Sequence, residues 1–267
     1  MNAVPELHTV WDVVGAVRVR ARVNDRALAR DGAPHAVFVH GLGMATNYLE
    51  PTMRALGNQI AVSGLDLPGF GGSRPVHGHL SLAALADVLV EWIRERGIAT
   101  PILVGQSHGC QVVVEAVTRV PDIASALILN APTMLAGHRS IGAQLWRVVL
   151  DTPREPLSLV PHVARDYLRA GPMRLLATLN DALRDRVEDK LPTVRVPVTI
   201  ANGARDPVSP PWWGERLSRL TGSRVGGSGS QFVVVPGAAH AVPFSHPGAL
   251  ATEIVAMTRR VEIRIDR

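Results

Sequence analysis

Three residue types scattered along the chain could together carry chemistry: a serine, a histidine and an aspartate. The serine is Ser107, set in Gly105-Gln106-Ser107-His108-Gly109 between the apolar runs Ile102-Leu103-Val104 and Val112-Val113-Val114. A G-x-S-x-G pentapeptide that ends a buried strand and opens a helix forces a sharp turn at its serine. Glycines two residues to either side let the backbone cross closely, and the helix N-terminus favours negative charge developing near the hydroxyl. The plain alternative is a glycine turn with an incidental serine. A serine is a poor nucleophile without a base to take its proton and a group to orient that base. His240 ends Val-Val-Val-Pro-Gly-Ala-Ala-His, just past the last apolar run. Asp206 lies in Asn-Gly-Ala-Arg-Asp-Pro, past the run before it. Asn130 stands at another such end, but an amide cannot stabilise an imidazolium as a carboxylate does. Asp66 precedes a Pro-Gly turn and reads as a loop-former. His246, between Ser245 and Pro247, reads as a helix entry. In that assignment His240 takes the Ser107 proton, Ser107 attacks an ester-like carbonyl, and water releases the acyl group, with activity rising through a histidine titration near neutrality.

The elements that must position these residues follow from apolar periodicity. "HTVWDVV" and "AVRVRARV" alternate and read as antiparallel strands. "AVFVHGLG", "IAVSGLDLPG", "PILVGQSHG", "ALILNAPT", "VPVTIANGARD" and "FVVVPGAAH" are continuously apolar and end in Gly- or Pro-rich loops, as strands buried on both faces of a parallel sheet do. Between them, "SLAALADVLVEWIRERG" predicts a helix capped by Ser81 and stopped at Gly97. Its buried stripe is Leu82, Leu85, Leu89, Trp92 and Ile93. "CQVVVEAVTRV" predicts a buried helix ended by Pro121. The alternation implies an α/β fold: a mostly parallel, doubly wound sheet with an antiparallel N-terminal edge. Residues 133–193 hold no buried-strand pattern, only helical stretches punctuated by prolines, and read as a helical cap inserted into a core of residues 1–132 and 194–267. "ARDGAPH" reads as a turn and "TGSRVGGSGSQ" as a surface loop.

The order Ser107, Asp206, His240, each after a separate strand, resembles the α/β-hydrolase superfamily, and the resemblance spans nearly the whole chain. "HGLG" (His40–Gly43) is similar to the family's His-Gly loop, and "DLPGFGGS" (Asp66–Ser73) to its Asp-x-Pro-Gly-x-Gly-x-Ser turn. The insertion falls where family members carry a cap. The resemblance implies an oxyanion hole formed by the backbone N–H groups of Leu42 and His108, with Gly41 and Gly43 letting their loop approach a ligand. It makes His40 a loop-stabilising residue, and leaves the His108 side chain either touching substrate or filling space. Cys110 reads as a small core residue. Met134, Leu135, Trp146 and Tyr167 are the residues by which a cap would line a substrate pocket, with cap core as the equal alternative for each. Trp212 and Trp213 would wall the pocket or pack elsewhere.

Composition bounds the rest. The 267 residues are 46% hydrophobic and only 4% aromatic, so the core is aliphatic and large enough for one α/β domain with an insertion or, equally, for two small domains. No apolar run is long enough to span a membrane, and the start lacks a signal-peptide pattern; a cytoplasmic location is the expectation. The single cysteine excludes an internal disulfide framework and a multi-cysteine metal site. Net charge is +5, almost all of it from arginine, but the arginines are scattered and argue against a nucleic-acid partner. The expectation is therefore a cofactor-independent, metal-free serine esterase acting on an ester or thioester of a small, largely apolar molecule. Carbon–carbon bond hydrolysis, a lyase reaction with the same triad, and a non-catalytic ligand receptor are the alternatives. A homodimer stays open.

Overall fold

The structure is a computed structural model, and it describes residues 6–24, 34–57, 59–73, 80–221 and 230–265. Most of the predicted turn "ARDGAPH" and of the predicted loop "TGSRVGGSGSQ" lies outside the described residues. Eight strands form one sheet: β1 (His8–Val14), β2 (Val17–Val23), β3 (His35–Val39), β4 (Ala61–Leu65), β5 (Ile102–Gln106), β6 (Ala126–Asn130), β7 (Val198–Gly203) and β8 (Gln231–Val235). Their spatial order is β1-β2-β4-β3-β5-β6-β7-β8. The pairs β1–β2 and β2–β4 are antiparallel and every other pair is parallel. One sheet edge carries the alternating sequences, and the centre and the opposite edge, β8, carry the continuously apolar ones.

Strand side chains alternate between faces, so each central strand feeds two cores. Leu103, Leu127 and Leu129 pack on one face, with α2 (Leu82–Glu95), α3 (His108–Arg119) and Trp213 and Leu217 of α8 (Pro211–Leu220). Ile102, Val104, Ala126 and Ile128 pack on the other, with α1 (Glu50–Ala55), α9 (Val242–Ser245) and α10 (Pro247–Ile265). Helix α2 is as its sequence predicts: Ser81 Oγ accepts the Ala84 N–H at 3.3 Å, all five stripe residues are buried, and Gly97 ends it at φ +65°.

Between β6 and β7 the chain runs through helices alone: α4 (Ile141–Asp151), α5 (Val160–Ala170), α6 (Pro172–Arg184) and α7 (Val187–Lys190), with short 3₁₀ turns. Lys190 ties this segment to the sheet layer by bonding Glu115 of α3 at 2.6 Å, as well as Asp185. Helix α4 is turned inside out. Gln144 and Asp151 are buried on it, while Leu145, Trp146, Val148 and Val149 are exposed. Among the described residues no helix is long and apolar enough to cross a membrane.

Candidate active site

Ser107, Asp206 and His240 follow β5, β7 and β8, at the carboxyl ends of parallel strands, where open α/β sheets hold their ligands. Ser107 sits at φ +56°, ψ −119°, a conformation that side chains other than glycine rarely adopt. The turn around it is tight. A Cβ at Gly105 would lie 2.7 Å from the Gly109 carbonyl oxygen, and one at Gly109 would strike the carbonyl oxygens of Val39 and His40. The Ser107 N–H donates to the Asn130 carbonyl at 2.9 Å, and the Ser107 carbonyl accepts from Cys110 N–H at 3.0 Å. Its side chain makes no capping bond to α3. Cys110 is buried, and burial pushes its thiol far above the usual range, as a core residue rather than a nucleophile requires.

Asp206 and His240 meet. Asp206 Oδ2 lies 2.8 Å from His240 Nδ1, and Oδ1 accepts the backbone N–H groups of Val208 at 2.7 Å and Ser209 at 2.8 Å. Both carboxylate oxygens are thus held, and the aspartate fixes the ring. A neutral ring so placed carries its proton on Nδ1 and its lone pair on Nε2. Burial pulls the His240 pKa down, but the Asp206 carboxylate, its hydrogen bond and the nearby Asp151 and Glu155 outweigh that and raise it to about 9. This corrects the near-neutral value the sequence suggests. Among the described residues no hydrogen bond joins the Ser107 hydroxyl to the His240 ring. The two loops are linked instead by Gln106 Nε2, which donates to the His240 carbonyl at 3.3 Å. Such contacts are often loose before substrate binds.

The His-Gly loop lies beside the serine: a Cβ on Gly41 would come within 3.2 Å of Ser107 Cβ. Gly41 N–H donates to Tyr48 Oη at 3.0 Å, and that hydroxyl donates to Gln106 Oε1. Tyr48 and Gln106 therefore brace the serine turn against the loop. Neither was legible as a site residue, although Gln106 is a variable position of the pentapeptide. His40 is buried and its pKa is lowered by burial. Its Nε2 accepts Leu67 N–H at 2.9 Å and its Nδ1 donates to the Gly41 carbonyl at 2.8 Å, a neutral ring holding two loops together. The His108 N–H begins α3 and has no carbonyl four residues back within the helix. The His108 ring is buried and kept uncharged by that burial, its Nδ1 3.0 Å from Gln111 Oε1. Gln111 Nε2 in turn donates to the Ala182 carbonyl of α6 at 2.9 Å.

The expected pocket residues divide. Met134 is buried in a cluster with Ala182 and Leu183, against Leu42 and Leu179. Tyr167 crosses Gly43: a Cβ there would lie 2.8 Å from Tyr167 Cε1 and 2.6 Å from Leu175 Cδ2. These residues border the His-Gly loop. Leu135 belongs to the main core instead. Trp146 is 62% exposed on the outer face of α4, where with Trp212, Arg147 and Pro207 it lines an external groove of about 400 Å³. The reason is the inversion of α4, whose inner face is polar. Trp213 is fully buried in the core and Trp212 is about half exposed. Asp66 is the loop-former expected: its carboxylate accepts Thr46 N–H and Gly72 N–H at 2.7 Å each and pairs with Arg20 at 2.9 Å.

A parallel sheet with an antiparallel edge, a strained serine between β5 and α3, and an Asp–His pair after β7 and β8 define a hydrolase fold. Residues 36–253 match the Alpha/beta hydrolase family, and the chain belongs to it. It is similar to the pimeloyl-[acyl-carrier protein] methyl ester esterase of Neisseria meningitidis serogroup B (strain MC58), with 28% identity over 256 residues, covering 86% of this chain and 95% of that protein. Among solved structures it resembles a thermophilic esterase from Thermogutta terrifontis (TM-score 0.72, 23% identity, 95% and 99% of the two chains). It also resembles a hydrolase from Pseudomonas aeruginosa PA01 (TM-score 0.76, 20% identity, 94% and 98%).

Proposed function

We propose that this protein is a cofactor-independent serine hydrolase that cleaves an ester or thioester of a small, largely apolar acyl group. Ser107 is the nucleophile, His240 the base and then the acid, and Asp206 the group that orients the ring and stabilises its charge. The observation that carries the reading is the Asp206–His240 contact at 2.8 Å, on the strand ends that flank the strained Ser107 turn. The serine hydroxyl attacks the carbonyl carbon as its proton passes to His240 Nε2. The oxyanion rests on the N–H groups of His108 and Leu42. Collapse of the tetrahedral species expels the alcohol or thiol with the His240 proton. Water then attacks the acyl-Ser107 carbonyl by the same route, giving the acid and the free serine.

The helical insertion serves as the cap, and the apolar cluster of Leu42, Met134, Leu179 and Leu183 beside the His-Gly loop supports an aliphatic acyl pocket. The esterase relatives, one of which acts on a methyl ester of a carrier-bound pimeloyl group, support ester cleavage over carbon–carbon hydrolysis. The test is a chain-length series of p-nitrophenyl esters, together with fluorophosphonate labelling, on wild type and Ser107→Ala. Hydrolysis with Ser107 labelled in the wild type and neither in the variant is the expected result. Full turnover by Ser107→Ala would overturn the reading and favour a lyase with His240 as base.

A further inference from the structure

The inner face of α4 is polar, and its polar groups are spent on the two loops that carry the acid and the base. Asp151, at the last turn of α4, is buried, and its Oδ1 accepts the backbone N–H of His240 at 3.3 Å. Glu155, past the following 3₁₀ turn, accepts the next backbone N–H, that of Ala241, at 2.6 Å through Oε1. Its Oε2 is buried with no partner. One turn back on the same helix, Arg147 Nη1 donates to the carbonyl of Pro207, the residue after Asp206, at 2.7 Å. Three side chains of one inserted segment thus grip consecutive backbone groups of the histidine loop and the backbone beside the aspartate. An apolar inner face would have done the packing more cheaply, since each buried carboxylate carries a desolvation cost.

We propose that α4 and the turn after it form a positioning clamp: Asp151 and Glu155 fix the His240 loop, Arg147 fixes the Asp206 loop, and the two carboxylates add negative charge beside the His240 ring. The inference rests on the assignment of His240 as the base. None of the three side chains contacts the reacting atoms; they act through the base, so they are positioning residues. The consequence is that seating of the helical insertion governs both where the imidazole stands and how readily it holds a proton. The charged groups that face the ring are Asp206 from the loop after β7, Asp151 from α4 and Glu155 from the turn after it. On the same segment Arg147 is committed to the Pro207 carbonyl, and Arg205, next to Asp206 in sequence, is exposed. Burial and these neighbours place the Asp151 carboxyl at about 7, so its charge responds in the range where the enzyme would work.

Asp151→Asn and Glu155→Gln keep a carbonyl acceptor for each N–H and remove only the charge. The His240 ring is titrated by NMR, its signal identified by comparison with His240→Gln, while kcat/KM is followed against pH. The expected result in each variant is a His240 midpoint lower by ~0.5–1 unit, with the acid limb of kcat/KM moving by the same amount. Glu155→Ala, which also removes the acceptor, lowers kcat by ~10-fold or more with little change in KM, and Glu155→Gln restores most of that loss. A His240 midpoint unchanged in both folded charge variants would overturn the proposal, as would equal kcat in Glu155→Ala and Glu155→Gln. If Asp151→Asn does not fold, Glu155→Gln decides alone. The NMR titration needs no turnover. Failure of fluorophosphonate to label wild-type Ser107 would therefore count against the hydrolase assignment and leave the titration standing as a separate result.

Discussion

Replacing Ser107 by glycine removes the hydroxyl and, with it, the Cβ that the turn strains. At φ +56°, ψ −119° a side-chain-bearing residue is held outside its preferred wells, which costs on the order of 1–3 kcal/mol. Glycine relieves that cost but adds ~0.5–1 kcal/mol of unfolded-state entropy. The Ser107 side chain caps nothing, so little else is lost. The balance predicts Ser107→Gly to be more stable than wild type by ~0–2 kcal/mol, a rise in Tm of up to several degrees at ~2–4 °C per kcal/mol for a chain of this size. Ser107→Ala keeps the Cβ and therefore the strain, and its Tm stays within about 1 °C of wild type on the same argument. Thermal unfolding followed by circular dichroism measures both, with p-nitrophenyl ester turnover absent in each. A Ser107→Gly variant that melts below Ser107→Ala would refute the claim that the serine turn stores backbone strain.

Gly109→Ala should lose ~1–3 kcal/mol or fail to fold, because its methyl meets backbone carbonyls of Val39 and His40 that cannot swing aside; a Tm at or above wild type would contradict this. Asp206→Asn should lower kcat by ~10⁴-fold while substrate still binds, read from steady-state kinetics; a loss under tenfold would remove Asp206 from the mechanism. With the neutral His240 ring as the proposed base, kcat/KM should climb with pH to a plateau above about 9, where His240 titrates, and a profile already flat at neutrality would contradict that. Both His240 and Asp151 bind a proton more tightly folded than unfolded. Their stabilising contributions are complete below 6.5 and 3.8 and are lost as pH rises through about 9 and about 7 respectively. Tm should therefore fall from about pH 6 to about pH 9.5, and a Tm rising across that window would count against both shifts.

The central strands were legible because burial on both faces leaves no ambiguity of period: the continuously apolar runs form β3 to β7, and the last one forms β8 at the far edge, where it is only partly buried. The placement of Ser107, Asp206 and His240 was legible for a related reason. Each lies within five residues of the end of such a run, so the strand sets its position at one rim of the sheet. Trp146 was not, because a helix's pattern shows that it has two faces without showing which is turned inward. On α4 the answer depends on the polar backbone beneath it, which belongs to loops 60 to 89 residues further along the chain. Tyr48 and Gln106 escaped for the same reason: their hydroxyl–amide contact joins residues 58 positions apart and leaves no local signature. The Asp206–His240 contact could be expected from two loops, but the ring's proton affinity could not, since two of the charges that set it come from the insertion.

The glycine contact between α3 and the end of β3 has a mechanical consequence. Main chain rests on main chain there, without side chains between to cushion or adjust. The first turn of α3 is thereby seated on the end of β3, and neither piece of backbone can slide on the other. Variation in what the enzyme accepts then falls to parts held against that framework mainly by side-chain contacts, the inserted helices first among them. A change made there would also be felt at the His240 loop, whose backbone Asp151 and Glu155 hold.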